Sequence, residues 1–118
     1  MAPTLDLDQY QYKRPVLLIF APDPQDVRYE EQATYLHDDS GAFEESRIAP
    51  FGIFENGPSF ADDRPVSNED AQRARERFEI EEGQFGLHLI ALDGTEVLRS
   101  DEPLPLDQLS GALQGEGG

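Results

Sequence analysis

Cysteine is absent from this chain of 118 residues, and that absence removes a whole class of chemistry. Disulfide exchange and peroxide reduction both need a thiolate nucleophile, and no side chain here supplies one. Cationic side chains are scarce as well. Nine Lys and Arg stand against 25 Asp and Glu, giving a net charge of -16, and Lys13 is the sole lysine. A surface of that sign repels nucleic acid and anionic lipid, because phosphate binding needs cations that displace counterions. No apolar run approaches the ~20 residues that cross a bilayer. Neither nucleic acid nor membrane is therefore an expected partner. Met1 to Asp8 hold neither a basic nor an apolar stretch, so no signal peptide is expected and the cytoplasm is the expected compartment.

What remains is a soluble globular composition with a modest core: 37% hydrophobic residues and a mean hydropathy of -0.60. A chain of this length forms one domain and buries roughly two-thirds of its unfolded surface without metal or disulfide help. The acidity reads first as solvation, since an acidic, lysine-poor surface suits adaptation to salt. A sharper alternative is mimicry of nucleic acid, or attraction of a basic partner.

Residues 1–12 read as a flexible lead-in, residues 13–114 as the domain and residues 115–118 as a disordered tail. Val16 to Phe20 is an unbroken apolar run, as expected of a strand buried on both faces. A helix follows, with Asp26 as its N-cap and Tyr29, Ala33 and Leu36 as its packing stripe. Phe43 is expected to resume that helix for a turn. Arg47 to Phe54 leans towards strand but carries Pro50 and Gly52, which places it at a sheet edge. A long polar loop is expected up to Val66, then a helix capped by Ser67 that packs Ala71, Ala74 and Phe78. Phe85 to Leu92 is a second buried strand. It meets Thr95 to Arg99 across Asp93-Gly94, a two-residue signal for a type I′ hairpin. Leu106, Leu109 and Leu113 mark a last helix.

The order β-α-β-α-β-β-α fits a three-layer α/β fold. Its four strands, numbered in chain order, form a mixed sheet 2-1-3-4 with helices on both faces. The first two strands are parallel through a right-handed crossover. Arg14-Pro-Val-Leu-Leu-Ile-Phe-Ala-Pro22, Asp26-Val-Arg28-Tyr with Gln32, Arg75-Glu-Arg-Phe78 before Gly83-Gln-Phe85, and Ala91-Leu-Asp-Gly94 leading to Leu98-Arg-Ser100 and Glu102-Pro103 add a second signal. In combination, over about residues 13 to 114, they resemble a bacterial family of small thioredoxin-like domains of unknown function. Related domains occur in animal sushi-repeat and coiled-coil-domain matrix proteins. The resemblance implies a peroxiredoxin-like thioredoxin fold with no assigned reaction. Laid on the thioredoxin pattern, Pro24 and Val27 stand where a redox-active member carries its two cysteines. Phe85 and Gly86 take the place of its cis-proline, so dithiol oxidoreductase and peroxidase activity are excluded.

The candidate binding surface is the first strand-helix corner, Pro22, Asp23, Pro24, Gln25, Asp26 and Arg28, with Gly86 nearby. A helix N-terminus favours anions, but Asp23 and Asp26 oppose one. Arg28 is either a cation for a carboxylate ligand or partner, or is paired with Asp23, Glu31 or another local acid, which is preferred. His88 is a conceivable general base, though a half-buried, hydrogen-bonded histidine is the plainer reading. His37 with Asp38-Asp39, and Asp62-Asp63, lack the alternating spacing of a calcium loop. Arg73, Arg75 and Arg77 are neutralised by neighbouring acids. Tyr10, Tyr12, Phe51 and Phe54 form either an interaction patch or flanking core. No catalytic residue, metal or cofactor is expected. The expected function is a non-redox module that binds a protein or ligand. The alternatives are a non-thiol enzyme on a small substrate, or an acidic nucleic-acid-mimicking decoy.

Overall fold

The computed structural model describes Tyr10, residues 12–62 and residues 64–117. Ten elements follow in order: β1 (Val16–Ala21), α1 (Val27–Asp38), α2 (Ser40–Ser46), β2 (Ala49–Phe54), β3 (Ser59–Ala61), β4 (Arg64–Val66), α3 (Asn68–Arg77), β5 (Gly86–Ile90), β6 (Glu96–Ser100) and α4 (Leu106–Gly117). Every residue of β1 is at most 2% exposed. It pairs in parallel with β2 and antiparallel with β5, so the two apolar runs lie side by side at the centre. Alternation then sorts the core. Val16, Leu18 and Phe20 face α3 through Ala71 and Ala74, while Leu17, Ile19 and Ala21 face α1 and α4 through Leu36, Leu106 and Leu109. Burying each leucine fully contributes roughly 1.5–3 kcal/mol.

The sheet has six strands in the order β4-β3-β2-β1-β5-β6, not the expected four. The expected order 2-1-3-4 survives inside it, as β2-β1-β5-β6. The error lies in the stretch from Ser59 to Val66, which is a short hairpin rather than a loop. That hairpin adds to β2 and makes it an interior strand. Two residues taken as marks of an edge are accommodated instead. Ala49 donates its N–H to Pro15 O on one side, so the nitrogen of Pro50 faces the other, where the Pro50 carbonyl still accepts from Asp62 N at 2.8 Å. Gly52 lies opposite Phe60, and a Cβ added there would fall 2.4 Å from the Phe60 ring. The glycine is there for close approach. Pro65 sits on the outermost strand, where a missing N–H costs least.

The β5–β6 connection also differs from its expected form. Of its residues only Gly94 has a positive φ, at 90°, which excludes a type I′ turn. Gly94 N donates to Ala91 O at 2.9 Å and Ala91 N to Thr95 O at 2.8 Å, describing a turn followed by a left-handed glycine. Beyond it the register shifts. His88 pairs with Arg99 and Leu89 with Leu98, but Ile90 pairs with Glu96, leaving Val97 as a bulge.

The expected caps are present: Asp26 Oδ1 accepts from Arg28 N at 2.9 Å, and Ser67 Oγ accepts from Asp70 N at 3.1 Å. Helix α4 continues to Gly117, through the stretch 115–117 expected to be a disordered tail. Its N-terminal half is anchored by Leu106 and Leu109, and extending an existing helix costs less than starting one. Gly118 and residues 1–9 and 11 of the expected lead-in lie outside the described residues. Tyr10 packs edge-on against Phe51 at 5.3 Å, and Tyr12 N donates to Leu92 O at 2.6 Å. No helix among the described residues is long and apolar enough to cross a membrane.

Candidate functional site

The corner after β1 is built from local bonds. Asp23 Oδ1 accepts from Gln25 N at 2.9 Å, and Asp26 N donates to Asp23 O at 3.2 Å, turning the chain into α1. Asn56 N donates to Pro22 O at 2.9 Å and ties the corner to the end of β2. Pro24 packs on Gly57, where a Cβ would lie 2.9 Å from the Pro24 ring. Arg28 forms a two-pronged pair with Asp26, Nε to Oδ1 and Nη2 to Oδ2, both at 2.9 Å. The same nitrogen donates to Gly83 O at 3.1 Å, and the guanidinium lies 5.7 Å from the centre of the Phe85 ring. The Arg28 side-chain bond holds the Asp26 carboxyl below its ordinary range, and Asp26 in turn raises Arg28. Arg28 is thus paired with Asp26, not with Asp23 or Glu31.

A second ion pair fastens the opposite wall. Glu55 Oε1 accepts from Gly83 N at 2.5 Å and meets Arg75 Nη2 at 3.1 Å, while Arg75 also donates to Glu81 O at 3.1 Å. Arg75 has therefore turned from its helical neighbours to an acid on β2's exit. The turn at residues 81–84 is clasped between Arg28 and Arg75, and Gly83 takes a φ of 77° there. This frame leaves Val27 72% exposed beside the exposed Gln25. Six of the seven expected binding residues come together here. Gly86 follows Phe85, whose ring lies beside Arg28, but is itself buried. It lies in β5 opposite Phe20, on the α3 face, and points towards Ile80 and His88.

A different constellation occupies that face. The chain leaving α3, Phe78 to Ile80, borders a hollow of about 450 Å³ also lined by Gly86, His88 and Arg99. His88 is 3% exposed, not half-buried, and its Nδ1 is hydrogen-bonded to Glu96 Oε1. Glu96 Oε2 accepts from Arg99 Nη2 at 3.0 Å, so one carboxylate holds His88 and Arg99 side by side. Burial works to raise the Glu96 carboxyl, but the His88 and Arg99 bonds together outweigh it and hold it below its usual value. The rings of Phe78 and Phe20 flank the imidazole at 4.8 and 5.5 Å. The sequence named His88 but missed Glu96 as its partner.

The remaining candidates resolve into structure. Phe51 and Phe54 are core at 0% and 3% exposure, so no patch forms around them. Asp62 is bound by Arg14 at 2.7 Å, and Asp63 lies outside the described residues. Arg73 meets Glu69 and Asp70 at 3.7 and 3.6 Å, and Arg77 lies over Phe78. Among the described residues no three His, Cys, Asp or Glu side chains gather closely enough to hold a metal ion.

The family model described as "Domain of unknown function" (DUF4174) matches residues 6–112. Among solved structures, the reduced 2-Cys peroxiredoxin of Plasmodium vivax superposes with a TM-score of 0.69 at 13% identity, covering 96% of this chain and 83% of that one. The thioredoxin domain of a Bacteroides vulgatus thiol-disulfide oxidoreductase gives 0.68 at 16% identity, covering 97% and 86%. Thioredoxin peroxidase I of Plasmodium yoelii gives 0.66 at 16%, covering 96% and 78%. The fold is thioredoxin-like. No functionally curated protein matches the sequence.

Proposed function

Because this chain belongs to the DUF4174 family, a domain of unknown function, and carries a thioredoxin-like fold without cysteine, we propose that it is a non-redox module that binds a protein partner through the corner at Pro22 to Arg28. One observation carries the reading. Val27 is 72% exposed at the first turn of α1, on a frame fixed by the Asp26–Arg28 and Glu55–Arg75 pairs. An exposed apolar side chain on a rigid support loses little entropy when a partner covers it. The Asp23, Asp26 and Arg28 side chains around it are already bonded within the chain, so they present shape more than free charge. Arg28 in particular is engaged by Asp26, Gly83 and Phe85, which argues against its serving as a substrate-binding cation in a non-thiol enzyme.

Affinity capture from the native lysate tests this, with Val27→Asp compared against Tyr12→Ser at an exposed position outside the corner. The reading expects a partner retained by wild type and Tyr12→Ser and lost by Val27→Asp. Identical partner sets for all three chains overturn it.

A further inference from the structure

The hollow beside β5 holds a polar arrangement that packing does not explain. A carboxylate only accepts, so a neutral His88 must carry its proton on Nδ1 to bond Glu96. That leaves Nε2 as an acceptor on the Gly86 side of the ring, and none of the described residues donates to it. The atom is not sealed from solvent, so a molecule in the hollow can reach it. Gly86 adds an independent sign. Its φ is not positive, so the backbone does not require glycine there. A Cβ at that position would lie 3.8 Å from His88 Nε2 and 3.3 Å from Ile80 Cδ1, filling the approach to the imidazole.

The charges around the opening narrow the ligand. Arg99 gives one nitrogen to Glu96, yet a guanidinium has five N–H donors, and this side chain is 69% exposed. Glu79 and Asp101 line the same hollow. The net charge of -16 repels a simple anion, and Arg99 opposes a simple cation. A molecule carrying both charges meets neither penalty. The volume of about 450 Å³ falls in the range of small-ligand sites, about 300–1,000 Å³.

We propose that the hollow walled by Phe78, Gly86, His88 and Arg99 binds a small zwitterion with the chemistry of a free α-amino acid. Its carboxylate rests on the Arg99 guanidinium and its ammonium donates to His88 Nε2, with Glu79 and Asp101 adding negative potential at the rim. Phe78 and Gly86 shape the space between. This site is on the α3 face and is independent of the corner proposed for protein contact.

The test is a ¹⁵N-correlation NMR titration of the full chain with each standard amino acid at about 10 mM, above a millimolar dissociation constant. At least one is expected to shift the amides of Gly86, His88 and Arg99 saturably. Its N-acetyl and amide derivatives, each lacking one charge, are expected to bind at least about tenfold more weakly, as is Arg99→Gln. Gly86→Ala is expected to abolish the shifts. Because that substitution also presses on Ile80, Arg99→Gln at an exposed position keeps the test decisive. No amino acid shifting these amides, or blocked derivatives binding as well as the free molecule, overturns the proposal.

Discussion

The side-chain amide of Gln32 closes two bonds with the backbone of Leu104: Nε2 donates to its carbonyl at 2.9 Å and Oε1 accepts from its N–H at 2.8 Å. Gln32 is fully buried on α1, so this pair fixes the chain entering α4. Gln32→Leu keeps the volume and leaves both backbone groups unpaired. The substitution is expected to destabilise by about 2–4 kcal/mol, read from the urea midpoint. An unchanged midpoint would show that water replaces the amide without cost.

Asp26 both caps α1 and pairs with Arg28. Its folded pKa is depressed, so its contribution is complete above its ordinary value of 3.8 and is lost as pH falls through the lower folded value. Asp26→Asn removes that part of the acid loss. The wild type is expected to lose its advantage over the variant as pH falls through 3.8 and below it in urea titrations. A constant gap across that range would rule the linkage out.

Gly52→Ala should force the Phe60 ring away from β2. Overpacking of this kind costs typically about 1–3 kcal/mol. Adding Phe60→Leu is expected to recover part of the loss, which a thermal-melting double-mutant cycle reads directly. Additive losses would place the strain elsewhere.

Glu96→Ala leaves the Nδ1–H of buried His88 without its acceptor, at a cost of about 1–3 kcal/mol. Long-range ¹⁵N NMR of the wild type is expected to show the neutral imidazole's proton on Nδ1. A proton on Nε2 would contradict the His88–Glu96 geometry.

With 25 acids against nine bases, stability should rise with salt. Moving from about 0.01 M to about 1 M NaCl shrinks the screening length from about 30 Å to about 3 Å. The melting temperature is expected to climb across that range. A flat profile would remove solvation of repelling charge as the account of the acidity.

Much of the scaffold was legible in the sequence because its signals are local and redundant. Val16 to Phe20 is apolar on both faces and Leu87 to Ile90 is so apart from His88, as expected of central strands. The Asp26 and Ser67 caps are single-residue rules. The hairpin at Ser59 to Val66 was hidden because three-residue strands carry too little alternation to register. The His88–Glu96 pair was hidden for a subtler reason. A two-residue turn at Asp93-Gly94 would have set Glu96 opposite Ala91, on the far face from His88. The bulge at Val97 advances it by one residue, opposite Ile90, and a one-residue slip changes the face. Arg28 was identified as a cation with a local partner, but choosing Asp26 over Asp23 or Glu31 needed the cap geometry.

The outermost strand has a bearing on how the molecule behaves when crowded. Three residues long and interrupted by Pro65, β4 offers a newcomer almost no ladder on which to zip. Fibril-like stacking of one copy on the next is therefore stopped at that rim, and any such growth has to begin at β6, whose bulge twists its margin out of flat register.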